Sequence, residues 1–377
     1  MPGLYLHIPF CRKACAYCNF HFSTTLRGKE EVLKAMHTEL AARAGEATGQ
    51  PIHTLYFGGG TPSLLTPHEL LALTDAIARH YDLSALQECT LEANPDDLTP
   101  AHIRALRATP INRLSIGVQS FRDEDLRYMN RAHNAAQSEA AIKAAQDAGF
   151  TNLSIDLIYG TPGLSDADWS AALNHAQALG VPHLSAYALT VEEGTALHHA
   201  IEKKKTRPVL PEAAAAQFDM LAAWAQAAGY EHYEISNLAK PGCYAMHNTA
   251  YWQGTPYIGI GPSAHSFDGA RRSWNISNNA LYAGALLRDG TRLHEEETLS
   301  PADRLNEYLM TSLRTQWGCD LEHVAREFGE AERKRIVLEA APVRARSHAV
   351  LDGEVLKLTQ AGRHFADRIA GELFVDK

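Results

Sequence analysis

Three thiols fall within eight residues near the start of the chain: Cys11, Cys15 and Cys18, in Cys11-Arg12-Lys13-Ala14-Cys15-Ala16-Tyr17-Cys18. Three cysteines cannot pair off among themselves, and zinc prefers four closed ligands, or three plus water with His or Asp among them. A C-x3-C-x2-C loop suits a cubane iron–sulfur cluster whose fourth iron stays open, and that iron can bind a further ligand. A zinc loop is the competing reading. Cys89 and Cys319 each stand alone in an apolar setting and read as small buried hydrophobes.

Residues able to hold a ligand beside such a loop recur downstream. Gly58-Gly59-Gly60-Thr61-Pro62 removes side chains where a ligand must lie against backbone and leaves amide groups free to bond it. Glu92, Gln119, Arg131 and Asp156 follow, and three of these groups fall at or near the ends of apolar runs. Burying such a group unpaired costs about 1 to 3 kcal/mol, so they pair with one another or bind a polar ligand. His247, in Pro241-Gly242-Cys243-Tyr244-Ala245-Met246-His247-Asn248-Thr249-Ala250-Tyr251-Trp252, is either a candidate iron ligand or a loop histidine in a hydrogen-bonded turn. Cys243 and Met246 are further conceivable iron ligands.

The elements that must position these residues form a regular rhythm. The run Leu4 to Phe10 reads as a buried strand leading into the cysteine loop. Val32, Leu33, Met36 and Leu40 mark a helix over 29–44; a strand over 53–57 runs into the glycines, and a helix over 67–80 follows. Strands at 89–93, 114–118, 153–158 and 184–189 continue the pattern, separated by Ala- and Leu-rich helical stretches. Six such units with nearly unbroken apolar strands predict an α/β fold, a partial (β/α)6 barrel with its chemistry in the loops after the strands. Residues 231–294, rich in Gly, Pro, Asn, Tyr and Trp, predict loops and short strands that close the barrel mouth after a 1–230 barrel domain. Over 295–377 the pattern predicts a helix at 301–315, helices near 320–340, a hairpin turning at Asp352-Gly353 and a last helix after Gln360. That is a small helical, winged-helix-like domain.

A length of 377 residues, 45% of them hydrophobic, affords one large domain with an appendage. The net charge of -9 argues against broad binding to nucleic acid or an anionic membrane, and the C-terminal part carries no evident basic stripe. No apolar run approaches the roughly eighteen residues of a membrane helix, and no secretory leader is evident. A soluble cytoplasmic protein is expected, in a reducing compartment that keeps the thiols free.

The cysteine spacing with its flanks resembles the radical S-adenosylmethionine (SAM) superfamily, which implies a 4Fe-4S cluster on Cys11, Cys15 and Cys18 with SAM on the open iron. Within it the chain resembles, nearly end to end, the oxygen-independent coproporphyrinogen III oxidase branch. That likeness implies SAM contacts at Tyr5, Tyr17, Gly59, Gly60, Thr61, Glu92, Gln119, Arg131 and Asp156, with a guanidinium suited to the SAM carboxylate. Oxidases of that branch carry a fourth cysteine two residues after the third, where Phe20 stands here, and an N-terminal extension that contributes to their site. Both departures argue against decarboxylation of coproporphyrinogen.

His-Asn-x-x-Tyr-Trp resembles the signature of HemW-type heme chaperones, paralogues of the oxidase. The resemblance implies heme at His247, Asn248, Tyr251 and Trp252, with imidazole as iron ligand and aromatic faces against the porphyrin. It implies as partners a heme-accepting client protein and an electron donor for the cluster, and it admits a homodimer. Tyr233 to Asn237 and Gly259 to Ser266 fit the same family and are expected to shape a lid over the site.

Overall fold

The structure is a computed structural model that describes residues 2–47 and 49–375. Strands β1 (Gly3–Ile8), β2 (Thr54–Gly59), β3 (Glu88–Ala93), β4 (Arg113–Gln119), β5 (Asn152–Tyr159) and β6 (His183–Ala188) pair in chain order, all parallel. Most of their side chains are buried on both faces, which is why they read as apolar runs rather than alternating ones. The helix over Pro67–His80 coincides with the expected span, because Thr66 and Glu69 form a capping box and Pro67 occupies the first turn. Asn134 with Gln137 and Ser165 with Asp168 start the helices over Ala135–Asp147 and Asp166–Ala178 in the same way. The expected six-unit partial barrel is present.

The segment after 230 adds short strands that lengthen the sheet at both edges, and its Asn279 reaches the mouth to bond His21, just past the cysteine loop, at 2.8 Å. Strands β7 (Glu231–His232) and β8 (Asn237–Ala239) add antiparallel beyond β6. On the other side β9 (Tyr257–Ile260) adds parallel to β1, and β10 (His265–Phe267), β11 (Arg271–Asn275) and β12 (His294–Thr298) follow antiparallel. The sheet therefore has twelve strands, in the order β12-β11-β10-β9-β1-β2-β3-β4-β5-β6-β8-β7. Gly259 is required where the chain doubles back, since a Cβ there would lie 1.9 Å from the His265 carbonyl oxygen. A helix over Asn279–Asp289, capped by Asn278, was not expected; it packs against the helix over Lys29–Ala42.

The short helix Met246–Trp252 lies beneath the first residues of β1, β2 and β3, the end opposite the cysteine loop. Glu88, heading β3, accepts from the Met246 and His247 amides at 2.9 and 3.1 Å and so caps that helix. Glycines and prolines announced a bend in this region; they carry no information on which end of the barrel it reaches.

A second core belongs to the C-terminal part: Leu305, Leu309, Leu313, Val324, Ile336, Val343, Leu356 and Ile369 pack together, apart from the barrel core. It forms between the helix Pro301–Leu313, the helices Leu321–Phe328 and Glu330–Glu339, and a three-stranded sheet of β13 (Cys319–Asp320), β14 (Ala349–Asp352) and β15 (Val355–Leu358). This is the helical, winged-helix-like domain. Cys89 and Cys319 are fully buried in their respective cores. Among the described residues no helix is long and apolar enough to cross a membrane.

One buried polar knot ties the first helix to the added strands. Glu39 is fully buried and accepts from Arg43 (3.0 Å), Asn275 (2.8 Å), Tyr282 (2.6 Å) and the Gly261 amide (2.9 Å). Removing the carboxylate leaves the buried Asn275 amide, Tyr282 hydroxyl and Gly261 amide without this acceptor, and leaves Arg43 with Glu46 as its remaining carboxylate. Glu39→Ala is expected to cost about 3 to 5 kcal/mol, read as a lower denaturant midpoint at unchanged slope. A loss below about 1 kcal/mol would show the knot to be dispensable.

Candidate cluster and cofactor site

The cysteine loop leaves the C-terminal end of β1 and is held by backbone and side chains from four directions. Cys11 N donates to the Ser23 carbonyl at 2.9 Å and Ala16 N to the Met129 carbonyl at 3.0 Å. Arg12 pairs with Asp97 at 2.8 Å, and Asn130 Nδ2 donates to the Ala14 carbonyl at 2.8 Å. Thr61 Oγ1 reaches Cys11 Sγ at 3.4 Å and Arg131 Nη1 reaches Cys15 Sγ at 3.0 Å. Burial pushes the Cys11 thiol up to about 11, and the neighbouring Cys15 and Cys18 add to the shift. Cys18 is raised as well, again first by burial. Cationic iron reverses that preference, since a coordinated thiol gives up its proton.

The donor set fits a cluster better than a single ion. Three free thiols share one loop, with Thr61 and Arg131 against two of the sulfurs, a donor set that leaves one iron of a cubane open. Phe20 is 70% exposed rather than packed into the core.

The glycine loop is pressed against the cysteine loop. Gly60 N donates to the Ile8 carbonyl at 2.9 Å and Thr61 N to the Phe10 carbonyl at 2.7 Å. A Cβ on Gly60 would sit 2.7 Å from both carbonyl oxygens, and Gly59, at φ +105°, faces the His7 ring. Inside the barrel Glu92 accepts from Tyr56 OH at 2.7 Å and Gly59 N at 3.2 Å. Asp156 accepts from Ser115 at 3.5 Å. Both carboxylates face a lumen walled by protein, and burial raises Glu92 to about 7 and Asp156 to about 6.

Arg131 places its Nη2 against Asn94 Oδ1 at 2.6 Å and the Gly117 carbonyl at 3.0 Å, while its buried Nε has no partner among the described residues. Three of its five N–H groups therefore hold protein in place, and Nε is among those left for a ligand. Gln119 ends β4 at φ +65°, after an irregularity in its pairing with β5. Tyr5 OH bonds His7 Nδ1 at 3.1 Å, and Tyr17 packs against the small cluster that contains Leu126 and Met129. Orphaned Nε, unneutralised carboxylates and a glycine cradle beside three thiols make a pocket suited to SAM.

Sequence reasoning missed Asn94, Asp97 and Asn130 as positioning groups. Their signal was present: Asn94 directly follows β3 beside Pro95, and Asn130 adjoins Arg131 with a left-handed φ of 57°.

His247 is not where a heme ligand was expected. Its ring is buried beneath the barrel, stacked on Tyr56 with centroids 5.0 Å apart. Nδ1 bonds Thr54 Oγ1 and Nε2 bonds Tyr251 OH, both at 2.8 Å, so neither nitrogen is free for iron as folded. Burial lowers its pKa to about 3 and keeps the ring neutral. A path Tyr251–His247–Tyr56–Glu92–Gly59 thus runs along the lumen to the glycine loop. Asn248 and Trp252 are half-buried, and the Arg314 guanidinium lies 5.4 Å over the Trp252 ring. Tyr233 to Asn237 lie near one edge of the sheet, and Gly259 to Ser266 run from β9 into β10, inside the sheet next to β1.

Fold and site define a radical SAM protein: residues 5–176 match the radical SAM superfamily, and residues 299–365 match the HemN C-terminal domain. The structure resembles coproporphyrinogen III oxidase (HemN) from Escherichia coli with a TM-score of 0.85 at 24% identity, covering 99% of this chain and 90% of that one, a likeness of fold. The sequence is 36% identical to heme chaperone HemW of Mycobacterium tuberculosis over 98% of this chain and 94% of the relative. It is 32% identical to heme chaperone HemW of Bacillus subtilis over 88% of each. The chain belongs to the HemW family.

Two outcomes follow from this geometry. Alanine at any of Cys11, Cys15 or Cys18 is expected to abolish the charge-transfer absorption of anaerobically reconstituted protein, with about four irons per chain in the parent; one tightly held zinc per chain would restore the zinc reading. The carboxylates attract an ammonium, and accept most strongly from hydroxyls, once ionised. SAM affinity is therefore expected to climb between about pH 5.5 and 7.5 and then level. Calorimetry of Glu92→Gln should lose the upper limb of that rise, and a flat profile in the parent would contradict the assignment.

Proposed function

We propose that this chain is a heme chaperone that carries a 4Fe-4S cluster and SAM, binds heme, and hands it to an acceptor protein in the cytoplasm, with an electron donor serving the cluster. When bound, the cluster would hold SAM on its open iron and supply one electron to it. Thr61 and Arg131 steady the thiolates, Arg131 Nε is a donor left for the SAM carboxylate, and Glu92 and Asp156 receive its remaining polar hydrogens.

The observation that carries this reading is the location of the His-Asn-x-x-Tyr-Trp helix. It packs under the first residues of β1 to β3, while the thiols follow the last residue of β1. A six-residue strand at about 3.3 Å per residue puts about 17 Å between those ends. A tetrapyrrole held against Tyr251 and Trp252 would be carried there, out of reach of chemistry at the cluster. Ligation of its iron by His247 would require the ring to release Tyr251 and part of the stack to open. The names of the full-length relatives support the same reading.

The second reading, coproporphyrinogen III oxidase, draws on the likeness to the Escherichia coli enzyme. Phe20 in place of a fourth cysteine speaks against it. Anaerobic protein supplied with SAM, reductant and coproporphyrinogen is expected to yield no protoporphyrinogen at a catalytic rate, while hemin titration of the same preparation produces a Soret band. Turnover would end the chaperone reading, and so would the absence of hemin binding.

A further inference from the structure

Between the end of the Met246–Trp252 helix, β9 to β11 and the C-terminal domain lies a cleft of about 720 Å³. Its volume is that of a pocket for one medium-sized cofactor. Trp252, Tyr257, Phe267, Tyr308, Trp317 and Phe328 contribute aromatic surface from both domains. Trp317 packs against Tyr233 and Tyr244 and leaves 36% of its surface exposed in the cleft. The cleft opens at the start of β9, whose Tyr257 pairs with Gly3 at the head of β1, so it belongs to the barrel end away from the thiols.

Its charges are unevenly satisfied. Glu307 pairs with Arg272 at 2.8 Å, Asp320 caps the helix Leu321–Phe328 by accepting from the Glu322 and His323 amides, and Glu327 pairs with Arg326 at 3.2 Å. Arg304 is half-buried, lies 6.0 Å over the Phe328 ring, and has no carboxylate within ion-pair distance among the described residues. A guanidinium left without a counter-charge in an aromatic cleft suits a planar apolar ligand that carries its own carboxylates.

We propose that this interdomain cleft is the porphyrin seat: aromatic side chains of the barrel end and the C-terminal domain enclose the macrocycle, and Arg304 pairs with a propionate. The proposal rests on the heme-chaperone reading and adds to it a place and a recognition chemistry that do not depend on an iron ligand. Tyr251, which lines the cleft and bonds His247 Nε2, would connect an occupied cleft to the lumen path that ends at Glu92.

The test titrates hemin, and separately iron-free protoporphyrin IX, into full-length reconstituted parent, Arg304→Glu, Arg304→Lys and Trp317→Ala. Near-ultraviolet circular dichroism and cluster absorbance confirm that each variant is folded. Arg304→Glu and Trp317→Ala are expected to weaken both ligands at least tenfold, with Arg304→Lys within a few-fold of the parent. Parent-like affinity in both weakening variants would overturn the cleft and leave the chaperone reading standing. Binding of hemin without protoporphyrin would also overturn it, because recognition would then run through the iron alone. A parent that binds neither ligand would overturn both.

Discussion

The guanidinium of Arg131 is the point on which the mouth of the barrel depends. It joins the cysteine loop at Cys15, the end of β3 at Asn94 and the end of β4 at the Gly117 carbonyl. A loop carrying three mutually repelling thiolates has no intrinsic reason to hold one shape, and an arginine keeps its charge where a lysine could lose it to burial. Its neighbours reinforce the arrangement through Asn130 on the Ala14 carbonyl and Lys13 on the Arg131 carbonyl. The glycine loop then docks on the same structure from the other side, with Gly60 and Thr61 bonded to the backbone that leads into the thiols.

The two ends of the barrel are built on opposite principles. At the C-terminal ends of the strands, polar groups are gathered and left incompletely satisfied, which is what a ligand site requires. At the other end the first amides of the signature helix and its histidine are satisfied within the protein: Glu88 takes two amides, and Thr54 and Tyr251 take the two nitrogens of His247. Between them Tyr5, Tyr56 and His247 stack their rings on one another inside the barrel. A fold shared with an oxidase can in this way serve a carrier, by seating its cargo away from the reactive end.

Six parallel strands, their helices and the cysteine loop were legible in the chain, because the strands are largely apolar on both faces and several helices begin with a cap such as Thr66, Asn134 or Ser165. The grouping of Thr61, Glu92, Arg131 and Asp156 was legible too, as polar residues following apolar runs in a fold that collects such ends. The parallel strand β9 was not: it is four residues long and is defined by contact with β1, 254 positions away at Gly3↔Tyr257. Nor was the Glu39 knot, whose acceptors and donors come from residues 39, 43, 261, 275 and 282 and look in isolation like ordinary surface groups.

By itself the sequence determined what is local: the period of hydrophobic burial, the helix caps, the thiol spacing and the aromatic hexapeptide at 247–252. Only the tertiary structure decided what is relational. It put that hexapeptide beneath the strands rather than over the thiols, engaged both nitrogens of His247, and set Arg304 over the Phe328 ring in an interdomain cleft. The reason is physical: burial, pairing and charge compensation are properties of groups brought together from distant parts of the chain, and no window of sequence contains both partners.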